Sequence, residues 1–581
     1  MSKKSSLWLV LIIATSIFAS ACAGVAATPA PSPKPAEPTK APEPAKPTPA
    51  APTATPAPTS APVPTTFIFG NQGEPVCLDP AIMSDGVTAR VTNQIFETLV
   101  KYEKDTTNVV ASLAEKWESS PDGKVWTFYL RKGVKFHDGT DFDASAVVKN
   151  WDYWANPNNP LHAAQLKAGK NFLHYPLEFA GFGNDSLITK AEAVDSATVR
   201  FTLKSPKGPF LQNMGIFSYV FWSPTALEKA GTESCKNPVG TGPFKFVEWK
   251  ANESVTLEKF AGYWDKPNAA KVDRVVIRNI KDNSQRLAAL KAGEIHGTEG
   301  LNPDDIKTVQ ADPNLQVILR PANTIAFVEF NYKIKEFQNQ KVRQAITQAI
   351  NKKAIVDKLY GGTGLVATQM QPPALWGYNK ELKGWVFDPE ASKKLLTEAG
   401  FPKGLSEITW VDGKTEPLIF WYMPVSRPYY PNPKEVGEAI AADLAKVGIT
   451  VKLQTVDWAV YVDKRAKGEM GLFMLGGTGN NGDPDDFLCS SFCLGPNDAP
   501  RPTEGFVADK ELSDMLKKAA EMTNQAERAP IYQKAEQLIH DLVLRVFIAN
   551  NQPPLAFSKK VSGYIANPTS TEFFNTVSIA K

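Results

Sequence analysis

Alternation of apolar and polar residues predicts strands at VWTFYL (residues 125–130), TVRFTLK (198–204) and VDRVVIRNI (272–280). Between them the period changes to that of a helix. Ser284 is placed to cap a helix running through Lys291 and stopped by Gly293. Residues 342–360 (VRQAITQAINKKAIVDKLY) repeat apolar side chains at Val342, Ile346, Ile350, Ile355 and Leu359, the spacing of one helical face. Residues 433–458 are the clearest unit. Val436, Ile440, Leu444 and Val447 share a helical face, Gly448 ends the helix, and ITVKLQTVDW alternates as a strand. Helix, glycine turn and strand make a crossover unit, so the class is mixed α/β in several lobes, with no internal repeat.

Composition changes this picture most at the N-terminus. Lys3 and Lys4 precede an apolar run over residues 7–18, and then Ala19-Ser20-Ala21-Cys22. This reads as a lipoprotein signal peptide over residues 1–22, with Cys22 as the lipidated residue. Residues 23–65 are Pro, Ala and Thr with scattered Lys and Glu, and lack the apolar bulk for a core. As a polyproline-rich tether of about forty residues this segment reaches on the order of 100 Å. The composition of the whole chain, 43% apolar and 22% charged, is that of a globular protein. A net charge of +3 gives no reason to expect nucleic acid or steering toward an anionic membrane. With Cys22 assigned to lipid, four cysteines remain, an even number for an oxidising compartment. The expected pairs are Cys77–Cys235 and Cys489–Cys493.

Catalytic patterns are missing. The chain has no G-x-S-x-G, no H-E-x-x-H and no Walker A motif. Its histidines (His137, His162, His174, His296 and His540) are not spaced as metal ligands, so no metal and no cofactor are expected. GGTGNNGDPDDF, residues 476–487, contains G-x-G-x-x-G, yet Asn480-Asn481-Gly482-Asp483-Pro484 is turn chemistry and Asp483, Asp485 and Asp486 repel phosphate. An EF-hand is also excluded by the acidic spacing. Two readings remain: a glycine-rich surface turn, or a loop whose backbone faces a small ligand.

Several longer blocks carry a resemblance. ASLAEKWESSPDGKVWTFYLRKGVKFHDG (111–139), NPVGTGPF (237–244), VRQAITQAINKKAIV (342–356) and FDPEASKKLLTEAGF (387–401) resemble the extracytoplasmic solute-binding proteins, family 5, of peptide and nickel ABC importers. MPVSRPYYPNP (423–433), GGTGNNGDPDDF and FFNTVSI (573–579) are similar to the dipeptide-binding branch. The resemblance implies a periplasmic-binding-protein-like (type II) α/β clamshell with two ligand-binding lobes and an extra domain. Lobe I would comprise residues 66–99, 209–323 and 554–581, lobe II, the extra domain, 100–208, and lobe III 324–553. Closure between lobes I and III would present a surface to the permease.

The resemblance also implies site residues. Arg427, flanked by Pro428 and Tyr429, takes the position of the arginine that pairs with a peptide carboxylate, a geometry suited to a bidentate guanidinium. The partner loop is Gly477, Thr478, Gly479 and Asn480, and Ser84 matches a further ligand-contacting position. This chain departs from the branch twice: Asn480 replaces the aspartate that pairs with the peptide ammonium, and Gly477 replaces a tryptophan. An unpaired charge in a closed cleft costs roughly 2–5 kcal/mol. Asp483 or Glu74 would have to supply the missing acid. The expected function is a monomeric substrate-binding lipoprotein, attached to the membrane through its lipid anchor alone. It would hand a peptide-like, carboxylate-bearing solute to separate permease and ATPase chains, without catalysis. Rival readings are another solute (a longer, modified or capped peptide, an opine-like compound, a nickel chelate), an extracellular enzyme using Asp483 and Asp485 as acids, and a receptor or chaperone on the same fold.

Overall fold

The computed structural model describes residues 64–83, 85–172, 174–569 and 572–580. The expected signal peptide with Cys22, residues 23–63 of the expected tether, and Ser84 lie outside the described residues.

Three main sheets organise the chain from Pro64 onward. A seven-stranded sheet runs in the order Leu315–Leu319, Pro554–Ser558, Gly297–Glu299, Thr66–Asn71, Arg274–Asn279, Ser254–Lys259, Phe244–Lys250. It draws strands from near the start, the middle and the end of the chain. Thr66–Asn71 pairs parallel with Arg274–Asn279 and with Gly297–Glu299. A buried ion network crosses this sheet's connections: Arg90 contacts Glu299 at 2.5 Å and Glu572 at 3.0 Å, and Arg320 also pairs with Glu572.

A four-stranded sheet runs Ala114–Ser119, Val125–Leu130, Thr198–Leu203, Ile188–Asp195. Alternation explains it: Trp126, Phe128 and Leu130 are buried from one strand, Val199, Phe201 and Leu203 from the next. Opposed pairs such as Trp126↔Phe201 hold the register. One continuous apolar cluster runs from these residues into the seven-stranded sheet through Phe67, Val275 and Phe557.

A six-stranded sheet runs Gly364–Val366, Arg545–Asn551, Thr324–Phe330, Leu472–Thr478, Ile419–Trp421, Lys452–Gln454, with its own apolar cluster. Every residue of the two neighbouring interior strands Thr324–Phe330 and Arg545–Asn551 is buried, so neither shows alternation. The crossover unit is present: the helix Pro433–Lys446 joins the parallel strands Ile419–Trp421 and Lys452–Gln454.

Two helix expectations need correction. The single face over residues 342–360 belongs to two helices, Gln340–Ala349 and Lys352–Leu359. Asn351 makes the break. Its side chain accepts from Ala354 N at 3.0 Å, and its own N–H donates to Asp443 at 2.9 Å. The helix Asn283–Lys291 is capped by Asp282 and not by Ser284, because the Asp282 carboxylate accepts from Gln285 N at 2.8 Å and places Ser284 inside the first turn. Both cysteine pairs are bonded, Cys77–Cys235 and Cys489–Cys493.

Candidate ligand-binding site

The glycine loop grows out of the centre of the six-stranded sheet. Leu472–Thr478 is flanked by Thr324–Phe330 and Ile419–Trp421, with Gly476 opposite Ala326 and Gly477 opposite Ile325. The chain then leaves the sheet and enters the helix Asp485–Phe492. Strand, loop and helix therefore do follow one another, contrary to the expectation that turn chemistry breaks this order. Phosphate is still disfavoured, because the loop's own acids occupy the helix start. The carboxylate of Asp486 takes the Asn480 N–H at 2.6 Å and the Asn480 amide Nδ2 at 3.3 Å. Nor is this a simple surface turn. Gly479 is buried and held by Asn323 through two hydrogen bonds, N–H to Asn323 O at 3.0 Å and Asn323 Nδ2 to Gly479 O at 3.2 Å.

The structure brings the arginine segment against this loop. Arg427 and Tyr430 exchange backbone hydrogen bonds at 2.9 and 3.0 Å, a tight reversal. Pro428 O accepts from Asn551 Nδ2 at 2.6 Å and Tyr429 O from the Tyr360 hydroxyl at 3.1 Å, which fix the turn from beneath. The buried Tyr429 ring lies on Gly476: a Cβ there would sit 2.3 Å from the ring and 2.3 Å from Ile325 O. At Gly477, by contrast, a Cβ would meet nothing nearer than Phe487 at 3.7 Å. The position where the dipeptide-binding branch carries tryptophan is thus open.

Arg427 is half-buried, and its guanidinium lies 4.3 Å over the Trp458 ring. Its Nε is buried and makes no hydrogen bond, and among the described residues no carboxylate pairs with it. Asn480 is exposed. With Nδ2 directed to Asp486, its Oδ1 remains as an acceptor.

Asp483 does not replace the missing acid. It is fully buried, and its charge is neutralised by Arg528 through two hydrogen bonds of 2.7 Å, so it neither reaches a ligand ammonium nor has net charge to offer one. Glu74 is committed through one oxygen to Trp249 Nε1 (2.9 Å) and Asn252 N (2.8 Å). The sequence did not single out Trp458, and it marked Asp486 only as an acid of the glycine motif, not as the residue that binds Asn480.

The far side of the loop meets the segments around the four-stranded sheet. Asn481 Nδ2 donates to Asn213 at 2.7 Å. Gly482 has φ of 70°, and a Cβ there would lie 2.3 Å from Thr107. Here three carboxyls gather. Burial above all, with repulsion from Asp483 on Asp485 and Asp486 and from those two on Glu178, pushes Asp485 and Asp486 up to about 6 and Glu178 up to about 7. Lys207 opposes this for Asp485 and Glu178, and Arg528, paired with Asp483, also opposes it for Asp485.

The histidines are held within the fold. His137 is pushed down to about 4 by burial, with Nε2 2.9 Å from Gly242 O. His162 stacks on Phe172 at 4.1 Å, and His296 Nδ1 accepts from Ile68 N at 2.9 Å.

Residues 108–498 match the model of the bacterial extracellular solute-binding proteins, family 5. The dipeptide-binding protein of Escherichia coli (strain K12) is 34% identical over 527 residues, 88% of this chain and 94% of the relative. The structure of HbpA2 from Haemophilus parasuis is 31% identical with a TM-score of 0.79, over 89% of this chain and 100% of that one. The periplasmic binding protein DppA from Helicobacter pylori, in complex with the peptide STSA, is 31% identical with a TM-score of 0.70, over 89% and 98% of the two chains. These likenesses bear out the mixed α/β, periplasmic-binding-protein-like fold expected from the sequence. The chain belongs to the bacterial extracellular solute-binding proteins of family 5.

Proposed function

We propose that this protein is the extracytoplasmic substrate-binding component of an ABC importer and that it captures a peptide-like, carboxylate-bearing solute. The ligand-binding lobes are those built on the seven- and six-stranded sheets. Membrane attachment is through lipid on Cys22, and the permease and ATPase partners are separate chains.

One observation carries the ligand class: Arg427, a half-buried cation stacked on Trp458, without a carboxylate among the described residues and with a buried, unbonded Nε. A guanidinium in that state is a receptor for a planar anion. The relatives' names add weight, since they include a dipeptide-binding protein and a peptide complex. At the other end of the ligand, Asn480 offers Oδ1, and the Asp486 carboxylate stands one hydrogen bond behind it. This arrangement accepts a single N–H donor, charged or neutral, where an aspartate would demand an ammonium. Asp483, locked on Arg528, is not free to act as a general acid, which favours binding over catalysis.

The test compares a dipeptide with its C-terminal amide, by calorimetric titration of protein unfolded and refolded to strip ligand. The acid should bind and the amide should be at least about thirtyfold weaker, the low end of the cost of leaving a charge unpaired. Arg427→Ala should abolish that preference without lowering the melting temperature. Equal binding of acid and amide would refute the carboxylate grip. N-acetylation should cost little in the natural protein and markedly more in Asn480→Asp.

A further inference from the structure

A cavity of about 100 Å³ is lined by residues other than those of this site. It is walled by segments on both sides of the four-stranded sheet's entry and by the C-terminal segment. Phe96, Phe217, Val220 and Phe573 give it apolar sides. Phe573 and Ile565 stand 36% and 40% exposed at its rim. Apolar cavities on the order of 150 Å³ admit a benzene ring, so a single ring entering partway is the matching size.

Among its described lining residues, the one buried side-chain polar atom without a hydrogen-bond partner is a donor. Asn93, 6% exposed, lines the cavity, and its Nδ2 is buried with no hydrogen-bond partner. Lys101 and Lys104 also line it, and among the described residues neither ammonium has an ion-pair or hydrogen-bond partner. Burial, then repulsion from Lys101 and Lys271, pulls the Lys104 ammonium below its ordinary range, against an opposing pull from Asp265. The one carboxylate in the lining, Glu97, is already used: it accepts from Thr241, Tyr263 and Trp264, each at 2.8 Å. A buried amide donor left unbonded is costly, and two cations without a contact ion pair, Lys101 sharing its field with Glu97, stand beside an apolar hollow and invite an anion carried on an apolar body.

We propose that this cavity is a second ligand site, which takes a small aromatic or branched-chain carboxylate ring-first, its carboxylate held by Lys101, Lys104 and Asn93. It is independent of the Arg427 site and would let the protein sense a small organic acid while it carries its main ligand.

The probe is benzoate, titrated calorimetrically into the Arg427→Ala protein so that the main carboxylate grip is absent. We expect one saturable site, weaker binding of the neutral isostere benzyl alcohol, and a loss of about tenfold or more when Lys101→Ala and Lys104→Ala are added. Both lysines reach solvent, so the fold should persist, and an unchanged melting temperature checks this. No saturable binding in the Arg427→Ala protein, or binding indifferent to both lysines, would overturn the proposal.

Discussion

Gly476 and Gly477 are neighbours with opposite tolerances. A methyl group at Gly476 collides with the Tyr429 ring and the Ile325 carbonyl, which are fixed by the sheet and by the Tyr360 hydrogen bond. At Gly477 it meets ordinary van der Waals space. Gly476→Ala should therefore cost about 1–3 kcal/mol, the usual range for overpacking, and Gly477→Ala should leave the denaturant midpoint within error. Equal effects would mean that the two segments are not packed as described. At this scale the sequence was informative about Arg427 and the glycine loop, because long blocks around them match a family. It was silent on Trp458 and on the bonds from Asp486 to Asn480. Their roles depend on a distance of 4.3 Å and on two hydrogen bonds, all made across turns whose shape no local pattern encodes.

Helix boundaries depend on which residue wins the first free N–H groups. Residues 342–360 kept their apolar period, and Val342, Ile346 and Ile355 are all buried as that period requires. The break at Asn351 was hidden because the period continues across it. Asn351→Ala removes the acceptor for Ala354 N and should cost about 1 kcal/mol, read from the urea midpoint. No loss would mean that the backbone bond to Asp443 sets the break alone. The helix Asp485–Phe492 shows the same competition at the loop. Asp486 binds the loop backbone at a helix start that would otherwise attract an anion.

Across the whole molecule, the contact between the Gly482 loop and the segments around the four-stranded sheet is pH-sensitive. Glu178, Asp485 and Asp486 hold their protons to about 7, 6 and 6 in the folded protein. Unfolded, they release them near the ordinary carboxylate range. Between those ranges the native state binds more protons, so stability falls as pH rises. The melting temperature should drop from about pH 5 to about pH 7.5, and Glu178→Gln should make that drop smaller. An unchanged drop in the variant would place its origin elsewhere.

The sequence by itself determined the strands with one exposed face, such as Val125–Leu130, and the crossover unit at Pro433–Lys446. It also determined the family, since periodicity and contiguous motifs are local properties of a chain. Tertiary structure alone decided the fully buried interior strands, where burial on both faces removes the alternation. It alone decided that Asp483 serves Arg528, a residue 45 positions away, and not a ligand. It alone left Arg427 without a partner carboxylate among the described residues, because partner choice is a matter of distance and desolvation between segments that come together only when the chain folds.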